Sequence, residues 1–251
     1  MKDPWKLPLA ELTEAAREAA EKAHGNVVTY VVNRNANFTR VCQVGCAFCG
    51  FGRRPGTPGA TRDSIDQVVA RVGKTPWVTE VCLQGGIDPD LPPAYYFDLI
   101  RALRGAFPWM HLHAFSPMEI DSLCEKSGQK PEEMVVRLRA AGVGSIPGTA
   151  AEILVDRVRQ RISRNKLPAG RWVRIVRAAH AAGLRSSATI LFGHVETWED
   201  IRSHLETLRR VQGETGGFTE FVPLAFVPYE NRLGRMLAQR WGGMGLSLIH
   251  I

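Results

Sequence analysis

The stretch VVTYVVNRNANFTRVCQVGCAFCGFG, Val27 to Gly52, decides how the rest of the chain is read. Its opening, Val27 to Asn33, is rich in β-branched residues and predicts a strand. The strand feeds a loop, Asn37 to Gly52, that carries Cys42-Gln-Val-Gly-Cys46-Ala-Phe-Cys49. Downstream, apolar runs and helical periodicities alternate almost without break. A helix with Ile65, Val68, Val69 and Val72 on one face precedes the strand VTEVCLQ, Val78 to Gln84. Tyr96, Leu99, Ile100 and Leu103 mark the next helix, and MHLHAF the third strand. Two helices follow, then the strand VGSIPG, a helix from Ala150 through Arg161, the helix RWVRIVRAAHAAG and the strand SSATILF. Thr197 and Asp200 form a capping-box signature for the helix after Gly193-His194, and EFVPLAFVP is the sixth strand. Upstream, a helix from about Leu9 to Ala23 stops at Gly25, a C-cap residue.

Six β–α units in series imply a parallel sheet with right-handed crossovers. No phosphate-binding glycine loop of the dinucleotide type is present, so the fold class is α/β with a partial or complete (β/α) TIM-type barrel. Chemistry in such barrels gathers at the C-terminal ends of the strands. Cys42 to Cys49, Gln84 to Gly86, His113 to Ser116, Ser145 to Gly148 and Gly193-His194 all fall there. The domain organisation expected is a helix over residues 1–26, a barrel over 27–228 and a truncated or non-native tail over 229–251 with no clear strand–helix unit.

The chain has 251 residues, 45% hydrophobic and 23% charged, which suits a globular protein with a substantial core. No run approaches a membrane span and the N-terminus lacks a secretory signal, so the expectation is a cytoplasmic protein without a membrane partner. The net charge of +7 is spread along helical segments such as DRVRQRISRNK. That spacing reads as solvated helix faces rather than a nucleic-acid footprint.

Of the five cysteines, three fall within eight residues, which does not fit a disulfide framework. Three thiolates so close can converge on one polynuclear cluster, each giving one soft ligand. A four-iron cube has four corners, so three cysteines leave one iron open to an amino acid's amino and carboxylate groups. The alternative, a structural zinc, asks for a fourth ligand, usually in a second close pair. Cys82, in an apolar run, reads as a buried small hydrophobe, and Cys124 lies in a helix without evident role.

The segments NRNANFTRVCQVGCAFCGF, EVCLQGGIDPDLP, HLHAFSPMEI, GSIPGTAAEIL, LRSSATILFGHVE and TGGFTEFVPLAFVP resemble the radical S-adenosylmethionine (SAM) enzymes. Within them they resemble the tyrosine-dependent subunit of deazaflavin (FO) synthase, the 5-amino-6-(D-ribitylamino)uracil–L-tyrosine 4-hydroxyphenyl transferase family. The resemblance runs from about Val27 to Pro228. It implies a [4Fe-4S] cluster on Cys42, Cys46 and Cys49, with SAM on the open iron. Phe48 would shield the cluster and touch the adenine; Gln84, Gly85 and Gly86 would meet the SAM amino group. Ser116, Ser145 and Glu152 would border the cofactor, Glu152 being read equally as a helix N-terminal acid. His113 and His194 are the candidate catalytic histidines, each equally readable as structural; Arg185 reads first as a surface arginine before a strand, with a pair to the tyrosine carboxylate as the alternative.

The reaction implied starts from a SAM-derived radical. It takes hydrogen from L-tyrosine, the Cα–Cβ bond breaks, and the 4-hydroxybenzyl group joins 5-amino-6-(D-ribitylamino)uracil on the way to coenzyme F-420. A partner FO synthase subunit and an electron donor are implied as well. Two alternatives stand beside this reading. One is a futalosine-route enzyme of menaquinone biosynthesis, either dehypoxanthine futalosine cyclase or aminofutalosine synthase. The other is a metal-containing nucleic-acid-binding protein. Relatives continue past the sixth strand with a further glycine-rich segment and helices. Gly50 stands where alanine is commoner.

Overall fold

The computed structural model describes residues 4–240. Residues Met1–Val32 and the chain from Asn33 onward are separate compact units. The first unit contains α1, Leu9–His24, ended by Gly25 at φ 59°, whose N–H bonds the Glu21 carbonyl. The positive φ is why glycine stands there.

The second unit is a six-stranded sheet: β1 Asn33–Asn37, β2 Glu80–Gln84, β3 His111–Ala114, β4 Ser145–Ile146, β5 Arg185–Phe192 and β6 Phe218–Ala225. All pairs are parallel, and the strands lie in sequential order from β1 to β6. Sequential order never reverses, so successive crossovers fall on one face and the sheet curls as a partial barrel rather than a doubly wound layer. Among the described residues, β6 and β1 do not pair.

The outer face packs on α2 Ile65–Gly73, α3 Pro93–Ala106, α4 Pro117–Ser127, α5 Pro131–Ala141 and α7 Ala169–Ala181. Val81, Leu83, Leu112 and Ala114 from the strands enter this core with Leu99, Leu138 and Trp172 from the helices. Alternation sends Glu80, Cys82, Gln84, His111 and His113 to the inner face. A second core joins Ala47 of the cysteine loop, Ile153, Ile190, Phe226, α6 Asp156–Ile162 and Leu233 of α9 Arg232–Arg240. α8, Trp198–Thr215, begins with the expected box: Thr197 and Asp200 cap each other. No helix among the described residues is long and apolar enough to cross a membrane.

Four expectations change. The β-branched run Val27–Val32 is not in the sheet; β1 is the polar NRNAN, in register with β2 from Asn33↔Glu80 to Asn37↔Gln84. Parallel pairing and burial of Ala36 place the strand, and β-propensity does not. The helix drawn from Ala150 starts only at Asp156, because Ala150 and Glu152 have φ of 67° and 43°, outside any helix. Glu152 is therefore no helix N-terminal acid. Cys82 is half-buried on the inner face, not a core hydrophobe, whereas Cys124 is buried in α4. Beyond Tyr229, Arg232–Arg240 form a helix whose Leu233 is buried; the last ten residues, read as arbitrary, lie outside the described residues.

Candidate active site

The cysteine loop follows β1 and is pinned on several sides. The Gln43 N–H bonds Ile87, the Cys42 N–H bonds Arg53, the Ala47 N–H bonds Ile162, and the Leu233 N–H bonds the Ala47 carbonyl. Thr39, at the loop's base, accepts from the Gly86 N–H and reaches the Asp88 carboxylate. Asp88 is buried and clamped by both arms of Arg62 at 2.7 and 2.6 Å. Burial would raise its carboxyl, but the Arg62 guanidinium holds it below its ordinary value.

Two glycines are dictated by close approach. A Cβ on Gly86 would lie 2.2 Å from the Val41 carbonyl oxygen and 2.9 Å from Cys42 Cβ. One on Gly85 would strike the Phe38 ring at 2.6 Å. The bare backbone expected for cofactor contact thus has a packing cause: it lets the cysteine loop lie on the end of β2. Both N–H groups are engaged inside the protein, Gly85 with Glu119 and Gly86 with Thr39.

The Cys42 and Cys49 thiols both lie beside Gly52. A Cβ on Gly52 would sit 3.8 Å from Cys42 Sγ and 3.9 Å from Cys49 Sγ, and the Gly52 N–H approaches Cys49 Sγ at 3.4 Å. Burial pushes the Cys46 thiol up to about 11, against the pull of Lys166. Cys49 is exposed and Cys42 half-buried. The donor set fits a soft-metal cluster held at three corners: three thiols on one short loop, one desolvated, with Cys82 and Cys124 on other elements.

Beside the cysteines stands a pair that sequence reasoning only half found. Glu152 is buried and ion-paired to Lys166, whose ammonium lies 5.4 Å from the centre of the Phe48 ring. Burial alone would raise the Glu152 carboxyl; Lys166 holds it below its ordinary value, and Glu152 in turn raises the Lys166 ammonium. The loop that carries Glu152 is fixed by buried Arg159, which donates to the carbonyls of Ala150, Ala151 and Leu167. Lys166 sits in the connection RNKLP, where nothing in the sequence pattern distinguishes it from a surface lysine.

The remaining candidates divide. Gln84 Nε2 donates to Thr149 Oγ1 at 2.7 Å. Ser116 is the N-cap of α4 and donates to Glu119 Oε2 at 2.6 Å. Glu119 lies under the glycine pair, and burial pushes its carboxyl up to about 7 despite the Ser116 and Gly85 hydrogen bonds. His194 has Nε2 on the Leu191 carbonyl and Nδ1 2.9 Å from Glu196, so both ring nitrogens have internal partners. His113 and Ser145 meet instead on the inner face, Nδ1 to Oγ at 2.7 Å, away from the loop. His111 joins them there; the alternation of HLHA beside EVCLQ carried that signal.

A cysteine-bearing loop at the C-terminal end of β1, seated on a glycine pair at the end of β2 in a sequentially ordered parallel sheet, defines a cluster-binding partial barrel. Residues 36–208 match the Radical SAM superfamily, and the chain belongs to it. The chain is 51% identical over 205 residues to an FO synthase of Mycobacterium tuberculosis, covering 81% of itself and 24% of that protein. It is 44% identical over 231 residues to a 5-amino-6-(D-ribitylamino)uracil–L-tyrosine 4-hydroxyphenyl transferase of Methanococcoides burtonii, covering 91% of itself and 64% of the relative. The chain thus spans about a quarter of the one and under two thirds of the other. In fold it is similar to methylornithine synthase (PylB), with a TM-score of 0.67 at 16% identity, covering 89% of this chain and 61% of that one.

Proposed function

We propose that this chain carries the radical-generating half of a transferase that moves the 4-hydroxybenzyl group of L-tyrosine onto 5-amino-6-(D-ribitylamino)uracil. The observation that carries the reading is the triad Cys42, Cys46 and Cys49, locked by Gly86 against the end of β2. The substrates come from the names of the relatives at 44–51% identity, which favour this reaction over the menaquinone-route alternative.

Cys42, Cys46 and Cys49 would hold a [4Fe-4S] cluster and leave one iron for the amino and carboxylate groups of SAM. Bound there, the cluster and SAM supply a carbon-centred radical able to take hydrogen from tyrosine. The chain's own residues position and protect. Phe48 packs beside the cysteines with its ring facing the Lys166 ammonium, which is also paired with Glu152. The Glu152–Lys166 pair sets a carboxylate and an ammonium at the cofactor's expected edge without adding net charge to a desolvated site. His194 has both ring nitrogens on internal partners, and His113 lies on the inner face with Nδ1 on Ser145. An electron donor and a partner FO synthase subunit complete the proposal, and a cytoplasmic setting suits a cluster of this kind.

The test is anaerobic turnover of the cluster-loaded chain with SAM, L-tyrosine and the diaminouracil, followed by mass spectrometry. Expected are 5′-deoxyadenosine and a coupled product that need both substrates, and loss of both when the three cysteines are replaced by serine. SAM cleavage with untouched tyrosine, or turnover of futalosine derivatives alone, would refute the assignment.

A further inference from the structure

The inner face of the sheet carries a second cluster of ligating groups, below the cysteine loop and separate from it. We propose that Glu80, His111 and His113 form a binding site for a divalent first-row transition ion of the zinc type, with Ser145 beside it.

The donor atoms of these three residues all lie within 4.8 Å of one another. His111 Nε2 and His113 Nδ1 both point at Ser145 Oγ, each at 2.7 Å, so two imidazole lone-pair directions converge on one position. Glu80 Oε2 stands 3.9 Å from His111 Nε2. A tetrahedral ion with bonds near 2 Å holds its ligand atoms about 3.3 Å apart, so small side-chain rotations close the set. The serine hydroxyl can donate to one imidazole and accept an N–H from the other; a cation in its place would take a lone pair from both. Rotation of Ser145 about its Cα–Cβ bond frees the shared position.

The surroundings support the set. Asn33 donates to Glu80 Oε1 at 2.5 Å and turns Oε2 toward His111, as outer residues do for ligating carboxylates. Gly144 makes room for the His111 ring, because a Cβ there would lie 2.4 Å from His111 Cε1. No positive φ demands that glycine; the imidazole does. Burial acts most strongly on His113 and favours its neutral, ligating form; Glu80 on β2 and Glu220 on β6 oppose this and His111 adds to it. The two register neighbours, Cys82 and Ser145, bring no cation. Two histidines and one carboxylate leave a coordination position for an oxygen ligand on the open inner side, the arrangement of catalytic rather than structural zinc.

The test uses the cluster-loaded chain, equilibrated anaerobically with Zn(II) against a chelating indicator. Zinc and iron are counted separately by mass spectrometry, and the zinc environment is read by X-ray absorption. Expected is one zinc per chain beyond the iron, in a nitrogen and oxygen shell near 2.0 Å with imidazole scattering. The Cys42, Cys46 and Cys49 to serine variant should keep this zinc while losing iron. His111→Gln with His113→Gln should weaken zinc binding roughly tenfold or more, and Glu80→Gln by a smaller factor. Absence of zinc from the wild-type chain, a sulfur shell, or zinc retained unchanged in the double histidine variant would overturn the proposal. If that variant fails to fold, the absorption spectrum of the wild type decides alone. No SAM or tyrosine enters the experiment, so its outcome is separate from that of the transferase assay.

Discussion

The two faces of the same strands differ in what holds them. On the outer face of β2 and β3, Val81, Leu83, Leu112 and Ala114 are buried against helices, and the forces are transfer and close packing. On the inner face and at the strand ends, Glu80, His113, Glu119 and the loop beside Glu152 are polar groups satisfied by specific partners. The outer face tolerates exchange of one hydrophobe for another of similar volume. The inner face and the cysteine end depend on single contacts, and each has an identifiable point of failure.

The comparison breaks most readily at Gly86. Gly86→Ala puts a methyl group 2.2 Å from a backbone oxygen that cannot swing aside, so the cysteine loop must lift from β2. After anaerobic reconstitution this variant should hold less than about a fifth of the wild-type iron, with stability lowered by about 4 kcal/mol or more. Normal iron content would mean that the loop is not seated as described. Next is Lys166→Met, which leaves the Glu152 carboxyl buried without its partner. Chemical denaturation should report a loss of about 3–5 kcal/mol, with partial recovery when Glu152→Gln is added.

Leu112→Ala tests the outer face by the same measurement. A loss of about 3 kcal/mol is expected from the methylenes removed and the cavity left, with iron content unchanged. If Leu112→Ala emptied the cluster while Gly86→Ala did not, the division between the faces would be wrong.

Glu119 gives a pH signature. Its carboxyl is raised from 4.5 to about 7, so the folded chain holds a proton that the unfolded chain has released. That contribution is complete below pH 4.5 and is lost as pH rises to about 7, a change of about 3 kcal/mol. Glu119→Gln should flatten this part of the stability profile, and an unchanged slope would assign the dependence to another group. Smallest is Ser145→Ala, which removes one hydroxyl between two imidazoles. It should cost about 1 kcal/mol in thermal or chemical unfolding.

Much of the site was legible because it is local in sequence. The Cys42-x-x-x-Cys46-x-x-Cys49 spacing needs no tertiary partner to be recognised, whereas the Gly85-Gly86 pair by itself reads as a strand-ending turn and only its contacts with Phe38 and Val41 show the close approach. The alternation HLHA was readable as two histidines on one face, but its meaning required Ser145 and Glu80 from neighbouring strands. Lys166 was not legible, since an ion pair between the loops on either side of α6, fourteen residues apart, leaves no periodic trace.

The sequence by itself determined the α/β alternation, the parallel sheet, the three-cysteine loop and its place at a strand end. The elements and the cysteine loop follow from patterns within about ten residues, where side-chain periodicity and ligand spacing act, and the parallel sheet follows from six such units in series. Tertiary structure alone decided that NRNAN rather than VVTYVV is the first strand, that Glu152 sits on a left-handed turn facing Lys166, and that the helix at 232–240 buttresses the cysteine loop. Those outcomes depend on register with a neighbouring strand and on charges brought together by the fold, and neither is encoded in local propensity.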